Sequence, residues 1–317
     1  MPHRQRRRPA LNGFLAALAL AALSACTPVP VALRAIPGPT AQQPAPPAAS
    51  AQSEALRLYY ARVQTDLLSQ GLMRSDGGGA DAPFTDRMLA ENFIRIALYD
   101  EYQRGPGGLV QRETTSRLRR WQQPVRVGLN FGASVPPALR ATDTARVASY
   151  LARLSSLTGH PIALTDSAPN FHIYIVNEDE RRALGPVIAR ALPDLSPTDI
   201  SGLTNLPRST YCIVYALSGG SASTYSRAFA VIRAEHPDLL RLSCMHEEIA
   251  QGLGLANDSP QARPSIFNDD EEYALLTVQD ELMLRMLYNP ALRPGMTEAE
   301  ARPIIFSLAS RLMAGAS

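Results

Sequence analysis

Between Glu247 and Asp258 the chain gathers side chains able to hold an ion or move a proton: Glu247, Glu248, Gln251, Asn257 and Asp258. Glu247 and Gln251 are four residues apart, so on a helix they stack on one side. Met245, Ile249 and Leu253 recur every four residues, the mark of one buried helical face. Gly252 and Gly254 are expected to end that helix, because a glycine past the last turn takes positive φ without a Cβ clash. Asn257 and Asp258 follow the turn and are placed to swing back toward Glu247 and Gln251. The result is a polar pocket with three walls. A carboxylate there can take a proton from bound water. Carboxylate and amide oxygens suit hard ions such as calcium, whereas zinc prefers imidazole nitrogen and thiolate sulfur.

The spacing resembles the H-E-x-x-H-x-x-G-x-x-H pattern of the metzincin zinc peptidases. Aligned on Glu247, the chain reads E-E-x-x-Q-x-x-G-x-x-N. The resemblance implies that Glu248 stands at the general-base position and Gly254 at the turning glycine. Glu247, Gln251 and Asn257, with Asp258 as alternative to the last, stand at the three metal positions. None of these is histidine, so tight zinc is not expected, and the identity of any cofactor stays open. A second motif follows in the same order as in metzincins. Ser265-Ile266-Phe267-Asn268 puts Phe267 at the methionine of the turn below the metal, and Leu276-Thr277-Val278-Gln279-Asp280 opens an apolar helix. The fold implied is α+β, a metzincin-like zincin with a mixed sheet packed on helices and an N-terminal helical extension.

The remaining polar candidates read as structural. His246 is one register off the motif, and Ala250, four residues on, has no donor atom; a hydrogen-bonded packing role is expected. His160, His172 and His236 show no ligand spacing. Asp258 with Asp269, Asp270, Glu271 and Glu272 lacks the Asp-x-Asp-x-Asp-Gly order of an EF-hand and reads as a solvated loop.

The elements that must position these residues follow from the order of the chain. Residues 1–25 have arginines, an apolar run from Phe14 to Leu23 too short to span a bilayer, and then Leu23-Ser24-Ala25-Cys26. That tetrad resembles the lipobox of bacterial lipoproteins, which implies cleavage before Cys26 and lipid on it. The expectation is a lipid-anchored, periplasm-facing protein of the bacterial cell envelope, with the outer membrane as default because Thr27 is not Asp. Residues 26–52 form a Pro-rich tether that buries too little to fold. The formal charge is +2, and Arg4, Arg6, Arg7 and Arg8 fall in the segment to be removed. No basic patch is interleaved with aromatics, so nucleic acid is not a partner.

Residues 53–110 read as an extension packing on the main domain, with Ser53 capping a helix to about Leu72. The near alternation of Phe93, Ile94, Ile96 and Tyr99 within residues 84–102 suggests a strand, with a helix as alternative. Residues 111–317 form the metzincin-like domain. Strands are expected at 124–131, 162–164, 171–176 and 212–217, and a helix at 142–157. Residues 178–192 read as an exposed helix, and 228–235 as helix or strand.

From Ser53 to Met313 the chain resembles an uncharacterised family of bacterial lipoproteins, a domain of unknown function. The carriers are E-E-x-x-Q-x-L-G-L-x-N-D, ending at Asp258, and R-P-S-I-F-N-D, from Arg263 to Asp269. With Cys26 lipidated, Cys212 and Cys244 form an even pair in an oxidising compartment. One begins a strand and the other the site helix, neighbours in the resembled fold; a bridge closing about 30 residues would contribute about 3–4 kcal/mol. The alternative is two buried thiols. Three functions fit: a non-catalytic cleft for a peptide or envelope protein partner, a metal-dependent peptidase with Glu248 as base, or a purely structural envelope lipoprotein.

Overall fold

The computed structural model describes residues 48–315 apart from 106–107, 220–222 and 269. The signal segment, Cys26, most of the tether and Asp269 lie outside the described residues. The chain runs α1 (Ala51–Ser69), α2 (Asp86–Ala97), β1 (Tyr99–Gly105), β2 (Gly108–Thr115), β3 (Arg120–Trp121), β4 (Val125–Phe131) and α3 (Pro137–Thr158). It continues β5 (Ile162–Leu164), β6 (Phe171–Val176), α4 (Glu178–Arg182), α5 (Gly185–Ala191), α6 (Pro197–Thr204), β7 (Cys212–Ser218) and β8 (Thr224–Arg233). Then come α7 (Asp238–Leu253), α8 (Val278–Leu287) and α9 (Glu298–Ala314). Among the described residues no helix is long and apolar enough to cross a membrane.

The main sheet has the order β3-β8-β6-β4-β5, all parallel, and β7 pairs antiparallel with β8. Ile173 lies opposite Leu129 on one side and Ala230 on the other. Parallel strands are covered on both faces, and their side chains show it. In β8, Ala228, Ala230 and Ile232 enter the large core with α7, whereas Phe229 and Val231 enter a second cluster under α5 and α6. β7 divides in the same way. Cys212, Val214 and Ala216 pack toward the large core, and Ile213, Tyr215 and Leu217 toward the second.

Several local expectations change. The alternation in residues 84–102 resolves as helix α2, capped by Thr85, with a strand beginning only at Tyr99. Leu89, Ala90, Phe93, Ile94, Ile96 and Ala97 are all buried, and their three- and four-residue spacing is helical; the alternating reading sampled only part of it. Thus α2 shares the large core with the sheet, α8 and α9. The cap of α1 is Ser50, whose Oγ accepts from the Ser53 N–H. The Ser53 hydroxyl donates instead to buried Glu235, at 2.7 Å. Residues 178–192 form two helices rather than an exposed one, and their Leu184, Ile188 and Leu192 build the second cluster.

Asp280 clasps the turn before α8 to the start of that helix. It is fully buried and accepts from the Ser265 hydroxyl, from the Ile266 N–H at 3.0 Å and from the Thr277 N–H at 2.8 Å. The Thr277 hydroxyl in turn accepts from the Asp280 N–H, a capping box. Replacing Asp280 by Ala strands these buried donors and should lower the unfolding free energy by about 3–5 kcal/mol in urea titrations. Burial pushes the Asp280 carboxyl up to about 6 from an ordinary 3.8, against the pull of these donors. The folded state therefore holds a proton that the unfolded state has released. This group's stabilisation is full below 3.8 and is lost as pH rises through about 6. Unfolding free energy should fall across that window in the native protein and less steeply in Asp280→Asn; equal slopes would remove Asp280 as the cause.

Candidate functional site

Helix α7 follows Pro237, and Asp238 in its first turn takes both terminal guanidinium nitrogens of Arg146 at 2.7 Å. The expected apolar face of Met245, Ile249 and Leu253 is buried. So are His246, Glu248, Ala250 and Gln251, because α3, the sheet and the turn before α8 enclose the helix on nearly every side. Glu247 is only half-buried. His246 serves packing, as its register suggests. Its ring stacks on Tyr150 at 4.0 Å, its Nδ1 accepts from the Leu276 N–H at 3.3 Å, and its carbonyl accepts from the Tyr150 hydroxyl at 2.9 Å. Burial pushes its imidazole down to about 3, so it is neutral.

The two glycines have separate tasks. Gly252 is still helical, contrary to the expectation that it ends α7. A Cβ there would meet the Phe171 ring at 2.5 Å, and its carbonyl accepts from the Trp121 indole at 2.8 Å. Gly254 ends the helix at φ +129°, and a Cβ there would stand 2.4 Å from the Arg119 carbonyl oxygen. Only glycine combines that conformation with that approach. The chain then returns. The Gln251 side-chain amide donates to Asp258 at 2.9 Å, so the residue that closes on the helix is Asp258. Asn257 points elsewhere. Its side chain donates to the Arg95 carbonyl at 2.9 Å and its backbone N–H to the Ile96 carbonyl at 3.1 Å, which ties the loop to the end of α2. Of the residues aligned with metal positions, Gln251 thus meets Asp258, the alternative to Asn257, and Asn257 itself stands apart.

One turn back from Gln251, at the approach of α7 to β7, the carboxylates Glu247 and Glu248 lie near the bridge. Cys212 and Cys244 are bonded, with Cα atoms 5.9 Å apart. One oxygen each of Glu247 and Glu248 and the sulfur of Cys212 lie within 4.8 Å of one another. Behind the bridge, His236 Nδ1 is 3.7 Å from the Cys244 sulfur. His236 is buried, and burial with Arg233 and Arg241 nearby holds its imidazole well below the ordinary range. Phe267 is fully buried in the large core, in the turn held by Asp280. The acidic stretch is a loop with Asp270 exposed, and in it Glu272 receives Arg263 through bonds of 2.6 and 2.8 Å.

Residues 86–307 match the family model described as a protein of unknown function, DUF2927. The chain belongs to the DUF2927 family. No curated protein and no solved structure matches it. The DUF2927 match begins with α2 and ends in α9, so it takes in the whole sheet, α7, the returning loop and α8, and leaves out α1.

Reading residue types alone missed Trp121, Tyr150 and His236 as supports of this site. Trp121 and Tyr150 act on backbone carbonyls, and no spacing announces such partners. Asp280 was visible as Thr-x-x-Asp, the form of a capping box. Two substitutions separate the tasks of the loop. Gly254→Ala should cost about 3 kcal/mol or more, since it combines unfavourable φ with a backbone clash. Asn257→Ala should cost about 1–2 kcal/mol through the stranded Arg95 carbonyl. Chemical denaturation measures both, and an Asn257→Ala variant as unstable as Gly254→Ala would refute the division.

Proposed function

We propose that this DUF2927 protein is a lipid-anchored envelope protein whose metzincin-like cleft holds a peptide or partner strand without cleaving it. The observation that carries this reading is the bond between Gln251 and Asp258. At position 251, aligned with an imidazole of the zinc peptidases, an amide is held by the carboxylate of Asp258, the residue next to the third aligned position. Such oxygen donors give zinc little, and a base at Glu248 needs a metal-bound water to act on.

The order of elements supports the metzincin-like part. Strand β4, helix α3, then β5, β6, β7 and β8 precede the site helix α7, and a turn carrying Phe267 precedes α8. β7 supports the binding part. It lies beside α7 and pairs with β8 on one edge, and no second strand pairs with it among the described residues. An extended peptide can add to such an edge through main-chain hydrogen bonds, with side-chain pockets choosing the sequence. Anchoring rests on Leu23-Ser24-Ala25-Cys26 and the Pro-rich residues after it.

Peptide-library binding to the purified, disulfide-bonded protein tests the cleft. Gln251→Ala and Glu248→Gln should each weaken the selected peptide about tenfold or more in protein that circular dichroism shows to be folded. Binding that ignores both changes would leave a structural lipoprotein. Stoichiometric zinc together with hydrolysis lost in Glu248→Gln would make it a peptidase. For the anchor, Cys26→Ser should move the protein from the membrane fraction to the soluble periplasm; retention at the membrane, with no lipid mass on the native protein, would refute the anchor.

A further inference from the structure

The geometry points to a second chemical state of this molecule: reduction of the Cys212–Cys244 bridge creates a binding centre for zinc or a similar thiophilic divalent ion, with Cys212, Cys244, Glu247 and Glu248 as ligands. This goes beyond the binding-cleft reading and does not rest on it. The donors differ from the set aligned with the peptidase motif, since both sulfurs and Glu248 stand outside the three positions expected to bind metal there.

Two independent features meet at the bridge. The first is the convergence of donors. The Cys212 sulfur and the Glu247 and Glu248 oxygens already lie within 4.8 Å of one another. Ligands of a tetrahedral zinc stand about 3.3–3.8 Å apart, given bond lengths of about 2.0–2.3 Å. Side-chain rotation closes that difference. The Cα separation of 5.9 Å lets both sulfurs face one ion once their bond is broken. The second feature is His236. This imidazole is 3 % exposed, its Nδ1 faces the Cys244 sulfur at 3.7 Å, and its Nε2 has no hydrogen-bond partner. A neutral imidazole with its proton on Nδ1 donates to that sulfur and stabilises a thiolate there.

The two sulfurs also differ in access. Cys212 is half-buried on the outer strand β7, and Cys244 is 1 % exposed beneath it. A dithiol reductant therefore attacks Cys212. Its thiolate forms a mixed disulfide with the Cys212 sulfur, and Cys244 leaves as a thiolate beside His236. The second thiol of the reductant then displaces Cys212 and closes the reductant's own disulfide. Two electrons and two protons have passed to the protein as two thiols. Metal binding releases those protons to solvent, and two thiolates and two carboxylates bind the ion. In the oxidised protein the sulfurs are joined and neither is a thiolate, so the centre exists in one redox state only.

The test compares the full chain before and after reduction with dithiothreitol, removed under nitrogen, using zinc against a chromophoric chelator and cadmium as an optical probe. The reduced protein should take up one zinc per chain and show a thiolate-to-cadmium charge-transfer band, and the oxidised protein should do neither. Glu247→Gln and Glu248→Gln should each weaken zinc binding to the reduced protein roughly tenfold or more. Both variants keep the cysteines, so metal held by an unfolded reduced chain would be indifferent to them. Zinc uptake unchanged by both, equal uptake in the oxidised protein, or no uptake after reduction would each overturn the proposal.

Discussion

Helix α7 lies so close to the sheet that no side chain fits at Gly252. Phe171 of β6 fills the place of its Cβ, and Trp121 reaches its carbonyl from β3. This contact sets the height of α7 over β6 and β8. One residue pair further on, the chain must leave the helix past the Arg119 carbonyl, which only Gly254 allows. From that exit follow the return of Asp258 to Gln251 and the attachment of Asn257 to α2. The disulfide to β7 and the approach of Glu247 and Glu248 to Cys212 rely on the same close seat. The two glycines thus set the seat of α7 and the path of the loop that returns to it.

Much of this was legible in the residues, and what was not has a physical cause. The site helix, its apolar stripe and its glycine exit follow from spacing. The four strand segments from residue 124 to residue 217 were found close to where they lie. The error at α2 arose because a helix buried on two sides puts apolar residues at adjacent positions, which breaks the one-face pattern. At residues 178–192 the charges misled: Glu178 and Arg181 are buried together, and a run rich in charge reads as exposed. In the loop, spacing cannot choose between Asn257 and Asp258, since either lies within reach of Gln251. The choice was made by α2, whose terminal carbonyls need donors, and no local pattern in the loop reports on a helix residue 162 positions earlier.

The buried charges have their own logic. Glu178 receives Arg181, Arg182 and Arg233. Burial raises its carboxyl, the arginines outweigh burial, and the net shift is downward. Glu235 is its neighbour and goes the other way, raised by burial, while accepting from the Ser53 hydroxyl and the Glu178 N–H. The pair binds α1 and α4 to the end of β8. Removing one partner would leave an uncompensated charge inside the protein, so the cluster holds three elements in one arrangement whatever its net energy. Tyr60 of α1 lies beside it, its ring perpendicular to that of His236 with centroids 4.5 Å apart.

The attachment of Asn257 also bears on engineering. A designer who wished to place a histidine zinc centre on this scaffold would substitute positions 247, 251 and 257 by the alignment. The third histidine would then point at the end of α2, and the Arg95 carbonyl would lose its donor. Position 258 is the better choice for the third ligand, because its side chain already faces position 251. The loop from Gly254 to Asp258 is one residue out of phase with the pattern it resembles, and the helix it supports keeps it there.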